Sequence, residues 1–241
     1  MRGSIMVAMI VLLSVLAGNA QDQVIRDPHA EKVALDGPFH AVQVSSAIEC
    51  YISQGEEESL ALSVIPETLR EYVLVTIDKG VLKIRMDENK KWRASFRNQQ
   101  VKVYVSFKRL DQVWLTGASQ LKFMGGVKAD RLAIECSGAS DIKGTVQAKQ
   151  LSLELSGASR ASIKGTANDL EIKASGASDF NGFDISAQNC VIDASGASNI
   201  RVNVQEAMDI LATGASSVDY KGEPRLRSVK TSGASSLHRK S

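Results

Sequence analysis

Residues 153–159 read Leu-Glu-Leu-Ser-Gly-Ala-Ser, and residues 172–178 read Ile-Lys-Ala-Ser-Gly-Ala-Ser. The phrase Ser/Thr-Gly-Ala-Ser occurs seven times, with its glycines at Gly117, Gly138, Gly157, Gly176, Gly196, Gly214 and Gly233. The spacings are 21, 19, 19, 20, 18 and 19 residues, and self-similarity at such a period is the signature of a solenoid. Three residues before each phrase stand Val113, Ile134, Leu153, Ile172, Ile192, Ile210 and Val229, all aliphatic. Directly before it come Leu115, Cys136, Leu155, Ala174, Ala194, Ala212 and Thr231. The position between these two is mostly charged: Glu135, Glu154, Lys173, Asp193 and Lys230, with Trp114 and Leu211 as exceptions. Two residues after each phrase the chain is again apolar, from Leu121 and Ile142 to Val218 and Leu237. This alternation on both sides of a fixed turn describes short strands with one buried face, not helices.

The expected fold is all-β: a single-domain parallel β-helix of about seven coils, right-handed by the default of parallel crossovers. Strands stacked about 4.8 Å apart would make a rod about 30 Å long. Equivalent residues then form columns, which explains why each position keeps one chemical character. Within the phrase, glycine permits a positive φ, alanine is small enough to stack at a bend, and the hydroxyls can satisfy turn amides. The phrase therefore reads as a structural corner, the alternative being an exposed Ser/Thr ladder that binds a ligand.

Residues 1–20 carry Arg2, an apolar run from Ile5 to Ala17, and the small residues Gly18 and Ala20, the pattern of a secretory leader cut before Gln21. Leu16-Ala17-Gly18 begins like a lipoprotein site, but position 19 is Asn, so no lipid anchor is expected. The apolar run is short for a membrane span. The protein is expected to be exported to the periplasm, the cell surface or the medium. Lys and Arg number 29 against 27 Asp and Glu, and the loss of Arg2 brings the balance closer to neutral. Such a balance leaves no electrostatic footprint for nucleic acid. Cys50, Cys136 and Cys190 show neither metal spacing nor a redox pair, and the repeat places Cys136 and Cys190 too far apart to bridge. They are expected as small buried hydrophobes.

Residues 21–32 form an extension, and residues 33–110 are a β-rich N-terminal part that caps the rod or supplies its first, less regular coils. Ile48 to Ile52 alternates, Val73-Val75-Ile77 and Leu82-Ile84-Met86 flank a turn at Asp78-Lys79-Gly80, and Val101 to Phe107 alternates again. Pro66 to Tyr72 suits a short helix or turn. The repeat region runs over 111–238, followed by a tail at 239–241. Taken in order, Phe39 with Val42-Gln43-Val44, Ile52-Ser53-Gln54-Gly55, Gly80-Val81-Leu82-Lys83-Ile84, the serial Ser-Gly-Ala-Ser phrases and Tyr220-Lys221-Gly222-Glu223-Pro224 resemble the head GIN domain family of autotransporter adhesins, common in Bacteroidetes. The resemblance covers residues 33–238. It implies an exported β-helix with an adhesin-like role, and it supplies no catalytic residues.

An enzyme is not expected. Asp141 and Asp179 follow the phrase at equivalent positions, about 10 Å apart at the ladder spacing, slightly wide of an inverting glycosidase pair. Neither has the glycine-aspartate nonapeptide of calcium-binding β-rolls around it. His29, His40 and His238 are scattered, and no cofactor or metal is expected. The stretch most suited to contact is basic and aromatic: Lys90, Lys91, Trp92, Arg93, Phe96 and Arg97, with an outward Trp114 extending it. The expected role is a non-enzymatic binding module for glycan or surface protein at the cell envelope. The alternative is a structural protein that self-assembles into homo-oligomers, since Ser232-Gly233-Ala234-Ser235 is followed only by Ser236 to Ser241.

Overall fold

The computed structural model describes residues 27–87 and 99–241. The leader at 1–20 and the basic-aromatic stretch from Lys90 to Arg97 lie outside the described residues. The first strands are β1 (Ala30–Val33), β2 (Ala41–Val44), β3 (Glu49–Gln54) and β4 (Ser59–Ile65). A 3-10 helix at Glu67–Tyr72 leads to β5 (Val73–Asp78), β6 (Val81–Met86), β7 (Gln100–Phe107) and β8 (Gln112–Leu115). The repeats give β9 (Gln120–Cys136), β10 (Asp141–Leu155), β11 (Arg160–Ala174), β12 (Asp179–Ala194) and β13 (Asn199–Ala212). The last coil holds β14 (Ser217–Lys221), β15 (Arg225–Thr231) and β16 (Ser236–Arg239).

From β8 onward every rung pairs in parallel with the next, forming a β-solenoid of about seven turns. The register confirms the columns: Ile134, Leu153, Ile172, Ile192, Ile210 and Val229 stand opposite one another from rung to rung. In the coil from Asp141 to Ser159, Ile142, Val146, Ala148, Leu151, Leu153, Leu155 and Ser159 are buried. The alternation changes phase at Gly144-Thr145 and again at Lys149-Gln150, where two successive residues escape the core. Each coil thus bends at two places besides the Ser/Thr-Gly-Ala-Ser corner.

That corner differs in one respect from the expected one. Its amides are satisfied by the neighbouring rung, not by hydroxyls. The Ala177 N–H donates to the Gly157 carbonyl at 2.7 Å, Ser175 N–H to Leu155 at 2.9 Å, and Asp179 N–H to Ser159 at 2.9 Å. The last Ser of each phrase turns inward, and its hydroxyl donates to the carbonyl three residues back: Ser140 to Ser137 at 2.7 Å, Ser159 to Ser156 at 2.6 Å. Ser119, Ser140, Ser159, Ser178, Ser198 and Ser216 are all buried, so no exposed ladder of these serines exists. A buried hydroxyl left unpaired would be costly, and this intracorner bond removes that cost.

The N-terminal part is both cap and coil. β2 pairs in parallel with β8, and β3 with β9, so that Ser45-Ser46-Ala47-Ile48 occupies the place of Thr116-Gly117-Ala118-Ser119. Ser46 takes the glycine's conformation at φ 70°. One rung further, β6 pairs in parallel with β2 and β7 with β3. The ladder then stops being parallel: β5 lies antiparallel on β6, β4 antiparallel on β7, and β1 antiparallel on β4. The first strand, β1, begins at Ala30. At the other end, Leu226 and Val229 are 41% and 43% exposed, whereas Met208 and Ile210 in the same columns are at 0% and 3%.

Three measurements test this architecture. Gly176 sits at φ +71°, and a Cβ there would lie 2.5 Å from the Gly157 carbonyl oxygen. Gly176→Ala is therefore expected to cost about 2 kcal/mol or more in chemical denaturation, from left-handed strain plus the clash. Ile172 is fully buried at mid-rod, so Ile172→Asp should cost about 4 kcal/mol or more, and an unchanged melting temperature would refute the inward assignment. Desolvation raises the thiol pKa of Cys50 and Cys190, and that of Cys136 is pushed up to about 12 by burial and then by the Asp141 charge. Maleimide labelling at pH 8 should accordingly be slow in the folded protein and complete after denaturation.

Candidate functional site

The solenoid's outward residues form columns too, and one face of them makes an open concavity. Along β8 to β13 the column Gln112, Ala133, Ser152, Glu171, Val191 and Asp209 points away from the core. Ala133 and Ser152 are short, so a depression opens between the longer side chains at its ends. The adjacent bend supplies a rim of Arg131, Gln150, Asp169 and Asn189, one from each rung in register. The result is an open groove of about 720 Å³, reached by Asp111 at one end and Arg227 at the other.

Most charges around this groove are held by partners. Arg109 Nε donates to Asp111 Oδ1 at 2.7 Å, Asn189 Nδ2 to Asp169 Oδ1 at 3.1 Å, and Lys173 Nζ lies 2.8 Å from Glu171 Oε1. Hydrogen bonding to Asp111 raises the Arg109 pKa, and hydrogen bonding to Glu171 raises that of Lys173. The rim presents guanidinium, amide and carboxylate groups at the regular interval of the rungs. Such a row can donate and accept hydrogen bonds along an extended ligand.

The residues singled out from sequence are dispersed. Trp114 is half-buried in the outward column next to the groove's, opposite Gln43 and Glu135. The seven corner glycines lie on a ridge of their own, each stacked on the one before. Asp141 and Asp179 do face outward at equivalent rungs, but Arg160 stands between them in the register. Arg160 lies 3.7 Å from Asp141, and Arg201 lies 3.5 Å from Asp179. Each carboxylate therefore serves a surface ion pair. Among the described residues, no group of three or more His, Cys, Asp or Glu could hold a metal ion, and no helix is long and apolar enough to cross a membrane.

Sequence reasoning missed the groove because it depends on two short residues, Ala133 and Ser152, lying on adjacent rungs. It also missed the pair Tyr51 and Tyr104, whose rings stack at 5.4 Å between centroids and 23° between planes. Tyr104 donates to Asp27 Oδ2 at 2.8 Å and Tyr51 to Glu49 Oε2 at 3.3 Å. Burial, joined by these neighbouring carboxylates, raises both phenol pKa values. The hydrogen bonds from Tyr104 and the His29 amide outweigh burial at Asp27 and lower its pKa.

No curated protein matches the chain. Among solved structures it is similar to a putative adhesin from Bacteroides fragilis, at 19% identity and a TM-score of 0.78 over 88% of this chain and 96% of that one. A putative lipid binding protein from Parabacteroides distasonis shares 18% identity at a TM-score of 0.68, over 88% and 96% of the two chains. A putative adhesin from Parabacteroides merdae shares 18% at 0.62, over 88% and 95%. At these identities the likeness establishes the shared fold. The order of strands, the corner phrase and a family match over residues 38–224 agree, and the chain belongs to the family described as "Putative auto-transporter adhesin, head GIN domain".

Proposed function

We propose that the protein is an exported, non-enzymatic binding module that recognises glycan or protein at the cell envelope. The observation that carries this reading is the groove over Ala133 and Ser152, with its polar rim repeated rung by rung. A rigid ladder of this kind orders few side chains on binding, so weak contacts summed along an extended ligand lose little to entropy. Family membership supports the adhesin-like class. The Arg-paired state of Asp141 and Asp179 weighs against glycosidic chemistry at that face. No cofactor or metal enters the reading, nor does nucleic acid, membrane insertion or a lipid anchor.

A second reading, a self-assembling envelope scaffold, is favoured by β15. That strand is exposed along its whole length and leaves Leu226 and Val229 in water. A second subunit would cover them.

The test is a glycan array and an envelope-protein pull-down with the chain from Gln21 onward, beside the variant Arg131→Ala/Gln150→Ala/Asn189→Ala. Binding that falls at least tenfold in the folded triple variant supports the groove. Binding lost instead in Trp92→Ala/Arg93→Ala moves the site to the basic-aromatic stretch. Light scattering on the same samples decides the second reading: a monomer at every concentration removes it, and association abolished by Leu226→Ser/Val229→Ser sustains it.

A further inference from the structure

A second surface, sharing no residue with the groove, lies on the face formed by β3, β7 and the first residues of β9 to β11. Its outward side chains run in two columns. The first reads Lys102, Glu49, Gln120, Asp141 and Arg160; the second reads Tyr104, Tyr51, Lys122, Lys143 and Ser162. Directly adjacent charges in the first column are opposite in sign, and neutral Gln120 separates Glu49 from Asp141. The second column does not follow that rule. Lys122 and Lys143 stand directly opposite each other on adjacent rungs, both exposed. Like charges so placed repel and destabilise a sheet.

Neither ammonium forms an ion pair among the described residues. Elsewhere the ladder compensates such pairs. Glu135 and Glu154 are also opposed, but Lys173 follows Glu154 on the next rung and Gln112 Nε2 donates to Glu135 Oε1 at 2.8 Å. Among the described residues neither lysine of this pair has an opposite charge next to it in its own column.

What borders the lysines narrows the ligand. On the N-terminal side stands Tyr51, with the Tyr104 ring on one face and the Lys122 rung on the other. The stack and the bond to Glu49 fix the ring in place. Glu49, Gln120 and Asp141 line the same small pocket, about 140 Å³, together with Tyr51, Lys122 and Lys143. From the Tyr51 rung to the Lys143 rung is about 10 Å at the ladder spacing, room for one sugar ring and its substituent. A fixed aromatic ring beside hydroxyl-matching polar groups suits a pyranose, whose C–H groups can pack against the ring's outer edge. Two adjacent ammoniums that make no ion pair among the described residues favour a negative charge on that sugar.

We propose that this face binds a carboxylate-bearing pyranose, a uronic-acid unit of an acidic glycan. The sugar packs against the outer edge of Tyr51, the carboxylate lies between Lys122 Nζ and Lys143 Nζ, and the hydroxyls reach Gln120, Glu49 and Asp141. The inference rests on the adhesin-like reading for its class of ligand, and its site is separate from the groove.

The test titrates the chain from Gln21 onward with trigalacturonic acid, maltotriose and inorganic phosphate, by calorimetry and by NMR of the tyrosine rings. Trigalacturonic acid is expected to bind and to shift Tyr51, while maltotriose binds at least tenfold more weakly. Lys122→Gln/Lys143→Gln is expected to lose at least tenfold in affinity while melting at or above the wild-type temperature, because the repulsion is gone. The groove variant Arg131→Ala/Gln150→Ala/Asn189→Ala is expected to keep its affinity, which separates failure of the groove from failure of this site. Equal binding by the lysine variant, or no binding by the wild type, overturns the proposal. Phosphate binding as tightly as the trisaccharide overturns it as well, since the face would then read charge without sugar.

Discussion

The hydrogen bond from each corner alanine N–H to the glycine carbonyl one rung below is the contact on which the solenoid depends. From Ala139 onto Gly117 to Ala234 onto Gly214, six such bonds measure 2.7–2.8 Å. Their shortness requires one corner backbone to lie directly on the next, and that approach excludes a Cβ. At Gly157 an added Cβ would sit 2.7 Å from the Gly138 oxygen, so the same glycine supplies the left-handed φ and the clearance. Alanine beside it adds only a methyl to the solvent side, and the inward serine closes the turn on itself. Each residue of the phrase thus has a separate physical task, and no task is chemical.

Because the corners lock the register, everything between them is stacked by consequence. A residue type placed on one rung meets its counterpart on the next at ladder distance, so a column of aliphatics forms a continuous core and a column of like charges would form a wall of repulsion. The chain places Arg160 between Asp141 and Asp179 on one face, and Lys173 after Glu154 on another. Opposite signs on adjacent rungs are therefore the low-energy condition for such columns, and the exposed pairs that satisfy it need add little stability individually. The lysines at 122 and 143 depart from that condition beside an aromatic ring, which is why they point to a ligand.

The repeat made the coil legible because periodicity survives translation into space: Ile134, Leu153 and Ile172 occur at one interval and meet in one column. The N-terminal rungs were harder to read because Ser45-Ser46-Ala47-Ile48 performs the corner without glycine, Ser46 accepting the left-handed φ itself. Their order in space is also not their order in sequence. β6 and β7 lie beyond β2 and β3, although β4 and β5 intervene along the chain. The candidate surfaces were less legible still. The groove depends on the absence of bulk at Ala133 and Ser152, and small residues carry no signal until their neighbours are known. The Tyr51 surface depends on three segments separated by tens of residues, whose registers no local pattern announces.

The exposed faces also suit such a rod to binding more readily than to catalysis. Catalysis asks for groups whose environments separate their proton affinities, and this demands burial or closely opposed like charges. A solenoid with a narrow, mostly apolar core keeps its carboxylates on flat faces, where Arg160 and Arg201 neutralise Asp141 and Asp179. What it offers instead is a fixed interval of donors and acceptors on a backbone that does not rearrange. A polymer laid along such a face meets further contacts at nearly constant entropic cost, and many weak contacts on one tether raise avidity without any single strong one. The same corner that forbids a side chain at each glycine therefore sets the spacing at which the faces can read a repeating ligand.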